Sequence, residues 1–326
     1  MGKNIGTPIV DEYLKRYPTL PSLRIAKVIY KKHPLIFKSV EDVRSLIRYR
    51  RGSSGTTLRK DRGLTENITP KYVIPKSAAQ PKVDFKFDGV ERVAVLSDIH
   101  IPYHTENALE CAIKRAKRDC VDGILLNGDT IDCHRLSRFT PNPEARNFKE
   151  ERNTVKQFLG YLRQEFPKAR IVWKDGNHEE RFSEYMRSKA PEIFDQEFFS
   201  LNVLLGFENL GIEYVSNRRI VWVGNLPVMH GHEFFRGFAP PVNPARGAYL
   251  KAKQSVMVGH HHKTSEHTET SLDGTITTTW SVGCLSDLNP DYNPYPGYNH
   301  GAATIFLKDE FYEVNNYRIV DGRAMN

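Results

Sequence analysis

A chain of 326 residues with 39% hydrophobic and 11% aromatic content can fill a sizeable core and is long enough for about two domains, which excludes wholesale disorder. No stretch approaches the roughly 18 consecutive apolar residues of a membrane span, no apolar leader follows Met1, and four cysteines without a CxxC pair form no disulfide framework. The net charge of +8 is lopsided: residues 1–85 hold 18 Lys/Arg against 7 Asp/Glu, a net +11, while the remainder is net −3. These features predict reduced thiols, a cytoplasmic setting without a membrane, and a basic attachment module for an anionic polymer ahead of a nearly neutral body.

Residues 1–52 read as a small helical module. Ser22 is placed to cap a helix whose apolar positions Leu23, Ala26, Ile29 and Tyr30 recur at helical spacing. That helix stops near His33-Pro34, since the residue before proline resists the α region. Ser39, with Asp42 three residues on, reads as a capping box for the next one. Val43, Leu46 and Ile47 then face inward, while Arg44, Arg48 and Arg51 share another face at i, i+4 and i+7. Residues 53–85, polar and punctuated by Pro and Gly, read as a linker able to order on a partner.

From Arg92 the pattern changes to strand alternating with helix. Residues 93–96, 123–126 and 171–173 are apolar strands. Helices fall between them, carrying Leu109, Ala112, Ile113 and Ala116, then Val155, Phe158, Leu159 and Leu162. This is the grammar of βαβ units. After Gly211 the chain is strand-rich, with candidates at 220–223, 227–229, 256–258 and 275–280.

Each of five strands ends in a short cluster of metal-capable side chains: Asp98-x-His100, Gly128-Asp129-x-x-Asp132, Gly176-Asn177-His178-Glu179, His230-Gly231-His232 and Gly259-His260-His261-His262. In open α/β sheets the carboxyl ends of strands line one crevice, so clusters scattered over about 165 residues gather in space. Asp, Asn and His donors without thiolate suit Mn²⁺, Fe, Zn²⁺ or Ni²⁺ and not a Cys-type structural zinc.

These five motifs resemble those of the calcineurin-like metallophosphoesterase family. The resemblance implies an α/β fold, a β-sandwich of mixed sheets flanked by helices, over residues 86–326. It also implies a metal-dependent phosphoric-ester hydrolase holding two divalent ions, with Mn²⁺ the first choice. Position by position, Asp98, His100, Asp129 and His262 would hold one metal. Asp129, Asn177, His230 and His260 would hold the other, with Asp129 bridging. Two cations roughly 3.5–4 Å apart would share a hydroxide that attacks phosphorus. His178 takes the place that protonates the leaving group or stabilises the transition state, and Asp132 the place that orients it. Asp132 stands where the purple acid phosphatase branch has tyrosine, which argues against that branch. Ser97-Asp98-Ile99-His100-Ile101-Pro102-Tyr103-His104 and Leu136-Ser137-Arg138-Phe139 are similar to phage-type members.

Beside the motifs, His104, His134, Arg135, Arg138 and Arg181 are candidate phosphate contacts. The aromatic run from Tyr292 to His300 is placed to stack a base or simply to pack. The first 52 residues weakly resemble a helix-turn-helix unit, with Arg44, Arg48 and Arg51 as its nucleic-acid contacts. Together these predict a phosphodiesterase, a nuclease brought to DNA by its basic module. A phosphatase or a cyclic-nucleotide phosphodiesterase on small substrates is the alternative. A non-catalytic scaffold would lack ligands or His178, and here every position is filled.

Overall fold

The computed structural model describes residues 5–52, 73–137, 147–194, 197–234, 242–290, 296–309 and 311–325. The chain divides into two units, Met1–Ala79 and Gln80–Asn326.

The first unit holds α1 (Gly6–Arg16), α2 (Ser22–Lys32) and α3 (Val40–Arg50). Their apolar stripes close on one core, with Val10 and Leu14 meeting Ile25, Ala26 and Ile29, and Val43 and Ile47. Ser39 caps α3 by accepting the Asp42 backbone N–H at 3.1 Å, and the Asp42 carboxylate returns to the N–H of Lys38. The box is therefore displaced by one residue from its usual form. Two expectations for α2 need correction. Pro21 occupies the cap position and Ser22 begins the helix without a side-chain cap. Leu23 is exposed, because Ile25 takes its place in the buried stripe. At the end of α3, the buried Arg50 pairs with Asp11 of α1, its Nε 2.6 Å from Oδ1.

In the second unit, residues 80–85, read as linker from sequence, are part of the body. Phe85–Lys86 form β1, and Phe87 is fully buried. There follow β2 (Arg92–Leu96), α4 (Glu106–Arg118), β3 (Gly123–Asn127), α5 (Phe148–Glu165), β4 (Arg170–Lys174) and α6 (Asn177–Lys189). After short helical turns come β5 (Ile212–Val215), β6 (Val221–Val223), β7 (Leu226–Met229), α7 (Pro244–Ala252) and β8 (Val256–Val258). The chain ends with β9 (Ser265–Thr270), β10 (Ile276–Ser281), β11 (Gly301–Lys308), β12 (Phe311–Val320) and β13 (Arg323–Met325).

Two mixed sheets result, ordered β13-β12-β11-β2-β3-β4-β5 and β1-β6-β7-β8-β10-β9. Strand alternation decides what each face buries. Val93, Val95, Leu125 and Val172 of the first sheet pack with Val221, Val228, Met257 and Trp280 of the second. On the other face of the first sheet, Ala94, Leu96, Ile124, Leu126, Ile171 and Trp173 pack under α4 and α5. Ala248 of α7 covers Val256 and Val258 of the second sheet. Because β2, β3 and β4 are parallel, as are β7 and β8, their carboxyl ends share an edge within each sheet. Every motif follows one of those ends.

Candidate metal centre

The backbone at these strand ends turns abruptly. Asp98, His100, Asp129, His260 and His262 all have φ between 51° and 69°. Left-handed backbone is uncommon outside glycine and costs on the order of 1 kcal/mol or more per residue, so its concentration on five candidate ligands marks a functional site. The motif glycines have a different task, close approach. A Cβ on Gly176 would lie 2.2 Å from Asp129 Oδ1, and one on Gly259 would lie 2.0 Å from Ser97 Oγ. Side chains there would push the turns apart.

Among the described residues the turns bring together three groups of ligand atoms, each within 4.8 Å: Asp98 with His100 and His262, and Asp129 with His230 and His260, which are the two candidate ligand groups, and beside them His100 with Asp132 and His178. In the first, His100 Nδ1 lies 2.8 Å from Asp132 Oδ1, an acceptor, so Nδ1 carries the ring hydrogen and Nε2 presents a lone pair. That lone pair faces His262 Nε2 at 3.2 Å, and His262 Nε2 faces Asp98 Oδ1 at 3.2 Å. Asp98 Oδ1 is buried without a hydrogen-bond donor, whereas Oδ2 accepts from Ser97 Oγ–H and the His260 N–H.

The second group repeats the arrangement. His230 Nδ1 donates to the Asn127 carbonyl at 2.8 Å. Its Nε2 faces Asp129 Oδ2 and Asn177 Oδ1, both at 3.2 Å, and burial notwithstanding, the Asp129 and Asp98 carboxylates push the His230 imidazole up to about 10. Asp129 Oδ2 also stands 3.7 Å from His100 Nε2, between the two groups. Burial opposes ionisation of Asp98 and Asp129, but the surrounding imidazoles outweigh it and hold both carboxyls below their usual range. Burial and the neighbouring His230 push His260 down to about 3, which keeps its imidazole in the neutral, ligating form. Carboxylates and imidazoles are gathered here under burial, with Asp98 Oδ1 and His262 Nδ1 left without a hydrogen-bond partner, and divalent cations can take the place of the ring protons that otherwise balance the carboxylates. The donor set therefore fits metal ions.

Asp132 sits beside the cluster, its Oδ1 2.8 Å from His100 Nδ1 and 3.0 Å from His178 Nδ1. Arg181 joins it, donating from Nη1 to the Asp132 carbonyl at 3.0 Å. Of the other candidate phosphate contacts, His104 is not in either group; it bridges to Ser286 and lines a cavity between α4 and α5. Arg135 is exposed on the turn after Asp132, and His134 Nδ1 is 3.6 Å from Asp132 Oδ2. Arg138 and Tyr292–Tyr295 lie outside the described residues. Tyr298 packs its ring 4.4 Å from that of His262. His261 joins neither ligand group, and His232 turns to Glu180 at 3.1 Å.

Several supports were not assigned a role from sequence. Glu179 accepts backbone N–H groups from Gly176, Asp129 and Thr130 at 2.8–2.9 Å, tying two motifs together. Glu233 accepts from the His230 and Gly231 N–H groups while pairing with the buried Lys174 at 2.6 Å. A Glu after Gly-Asn-His was the only visible signal for the first, and nothing in the spacing marks the second.

The calcineurin-like phosphoesterase family matches residues 91–280, more than half of the chain and all five motifs. The chain belongs to that family. As a calcineurin-like phosphoesterase it is a metal-dependent phosphoester hydrolase, with the first unit and β11–β13 lying outside the matched range. The protein is 26% identical over 245 residues to the Gene 54 protein of Mycobacterium phage L5, a match covering 72% of this chain and 95% of that one. Similar solved structures include a single mutant of Vps29 from Entamoeba histolytica, at 15% identity and TM-score 0.37, covering 72% of this chain and 96% of that one. A dimetal phosphatase from Danio rerio matches at 13% identity and TM-score 0.34, covering 70% and 96%. Among the described residues no helix is long and apolar enough to cross a membrane.

Proposed function

We propose that this phosphoesterase is a nuclease, a dinuclear phosphodiesterase acting on DNA that its basic first unit helps to hold. The observation that carries the hydrolytic part is the pair of buried Asp/His groups meeting at Asp129 Oδ2, 3.2 Å from His230 Nε2 and 3.7 Å from His100 Nε2. Asp98, His100, Asp129 and His262 would hold one divalent ion and Asp129, Asn177, His230 and His260 the other, Mn²⁺ being our choice of metal. When bound, such a pair supplies an activated water and neutralises charge on the phosphoryl oxygens. The chain's own residues do the rest. Asp132 fixes His100 as a ligand through Nδ1 and holds His178 on the same carboxylate, so the leaving-group side of the site is oriented by a residue outside the ligand set.

The DNA part is supported by the charge of the first unit and by where that charge is exposed. Arg24, Lys27 and Lys31 of α2 are exposed at helical spacing and form a basic face. Arg48 of α3 is exposed as well, and Arg44 pairs with Glu41 at 3.2 Å. The test is incubation of the purified chain with Mn²⁺ and single- or double-stranded DNA, beside a small phosphomonoester and a cyclic nucleotide. Cleavage of DNA is expected. Turnover of the small substrates with intact DNA would replace the nuclease by a phosphatase or a small-substrate phosphodiesterase.

A further inference from the structure

His178 is the residue expected to meet the leaving group, yet its Nε2, which stands 3.8 Å from Asp129 Oδ2, is already engaged. Nδ1 lies 2.8 Å from the Asp132 carbonyl and 3.0 Å from Asp132 Oδ1, both acceptors, so the ring hydrogen sits there. Nε2 lies 2.7 Å from Arg181 Nη2. A guanidinium only donates, so Nε2 accepts from it. Arg181 thus engages the nitrogen through which His178 would act on a leaving oxygen. The same guanidinium is fixed a second time by the Asp132 carbonyl. It uses two of its five donors in this way, and Arg181 lines a cavity of about 730 Å³ that also contains Asn177 and His232. One turn of α6 carries the whole arrangement: Asn177 as candidate ligand, His178 at its side, and Arg181 four residues after Asn177 on the same helix face.

We propose that Arg181 is the catalytic residue that touches the leaving-group oxygen, stabilising the charge that develops there, and that His178 and Asp132 are positioning residues that aim it. This assignment rests on the proposed phosphodiester hydrolysis and changes which side chain acts on the leaving group. A guanidinium contributes charge and hydrogen bonds without transferring a proton, so its effect grows with the charge the leaving oxygen must bear.

The test uses the full-length, Mn²⁺-loaded protein and aryl phosphodiesters whose phenols differ in acidity. Arg181→Ala is expected to keep its bound metal and its KM while kcat falls about 10²-fold for the least acidic phenol. For the most acidic one the fall should be about tenfold or less. Arg181→Lys should recover part of the loss. His178→Ala should reproduce the same dependence on the phenol, and the double variant should be hardly worse than either single one, because the two act as a unit. A loss in Arg181→Ala that is equal across all phenols, or additive losses in the double variant, would overturn the assignment, as would loss of metal. If the wild-type chain hydrolyses none of the diesters, the phosphodiesterase reading itself fails, and the variants are not what decides it.

Discussion

The strand-end turns of the second unit form a specific motif set in sequence and the arginine stripe of the first only a weak one, and the structure treats them differently. In the turns, residues far apart in the chain converge as buried carboxylates and imidazoles, with Asp98 Oδ1 and His262 Nδ1 left without a hydrogen-bond partner, a cost that a bound cation would offset. In the stripe, at perfect helical spacing, Arg48 is exposed and Arg44 pairs with Glu41 on the surface, while Arg51 is spent on internal contacts. Arg51 donates to the carbonyls of Pro18 and Leu20 and to Ser22 Oγ at 3.0 Å, holding the end of α3 to the segment before α2. Charge periodicity says which residues share a face; it does not say whether that face is open. Unsatisfied burial is the more telling signal, because it carries a cost that the fold alone leaves unrecovered.

The comparison breaks most severely at Asp129. If its Oδ2 joins two metal sites, Asp129→Ala removes both ions and reduces hydrolysis to background, with the helical and strand content unchanged by circular dichroism. Metal analysis alongside turnover checks this. A variant that keeps a full complement of bound metal would separate the two groups and leave Asp129 without a bridging place.

The loops that carry the ligands depend on partners of opposite charge, and there the expected effect is on stability. Burial opposes ionisation of Glu233, but Lys174, His232 and His230 outweigh it and hold the carboxyl well below its usual range. Glu233→Ala strands the Lys174 ammonium, which is 1% exposed, and frees the N–H groups of His230 and Gly231. Removing one partner of such a pair costs about 3–5 kcal/mol. Urea unfolding measures it, and the double change Lys174→Met with Glu233→Leu should cost much less if the stranded charge is the cause.

What the sequence made legible follows the same division. Apolar strands ending in Asp, Asn and His could be read because strand alternation and sheet geometry act locally, and all seven candidate ligands lie where that reading puts them relative to β2, β3, β4, β7 and β8. The left-handed backbone of Asp98, His100 and Asp129 was not legible, since nothing but glycine advertises that conformation. Lys174 with Glu233, and Arg51 with the Pro18 and Leu20 carbonyls, pair residues far apart in the chain, and no local period encodes such contacts. The start of the second unit was missed for a plainer reason. Val83, Phe85 and Phe87 alternate as a strand should, but the polar residues before them masked a β1 only two residues long.

A smaller effect tests whether burial alone, apart from any metal, shapes the ground beneath the site. Glu151 of α5 is fully buried close to Asp132, and burial first, then the Asp132 charge, pushes its carboxyl up to about 8 from 4.5. The folded chain therefore keeps a proton that the unfolded chain has released above pH 4.5. The contribution of Glu151 to stability is complete below that pH and declines as pH rises toward about 8, by at most about 1.4 kcal/mol per pH unit. Glu151→Gln should flatten this decline, with urea midpoints compared at several pH values across the window. A decline of unchanged slope would mean that Glu151 is ionised in the folded protein.

The finest distinction is between arginines on the same small unit. Substituting Arg24, Lys27 and Lys31 together by Ala should lower affinity for a DNA oligonucleotide and reduce the slope of log affinity against log salt by about 2–3, close to one for each lost phosphate contact. Arg51→Ala should leave that slope alone and lower the unfolding midpoint instead, by about 1–3 kcal/mol of stability, since its carbonyl and hydroxyl partners lose their donor. Fluorescence anisotropy over a salt series separates the two behaviours. If Arg51→Ala shifts the slope while α2 is indifferent, then the stripe on α3 binds after all, and helical spacing was the better guide to the surface than the hydrogen bonds that occupy it.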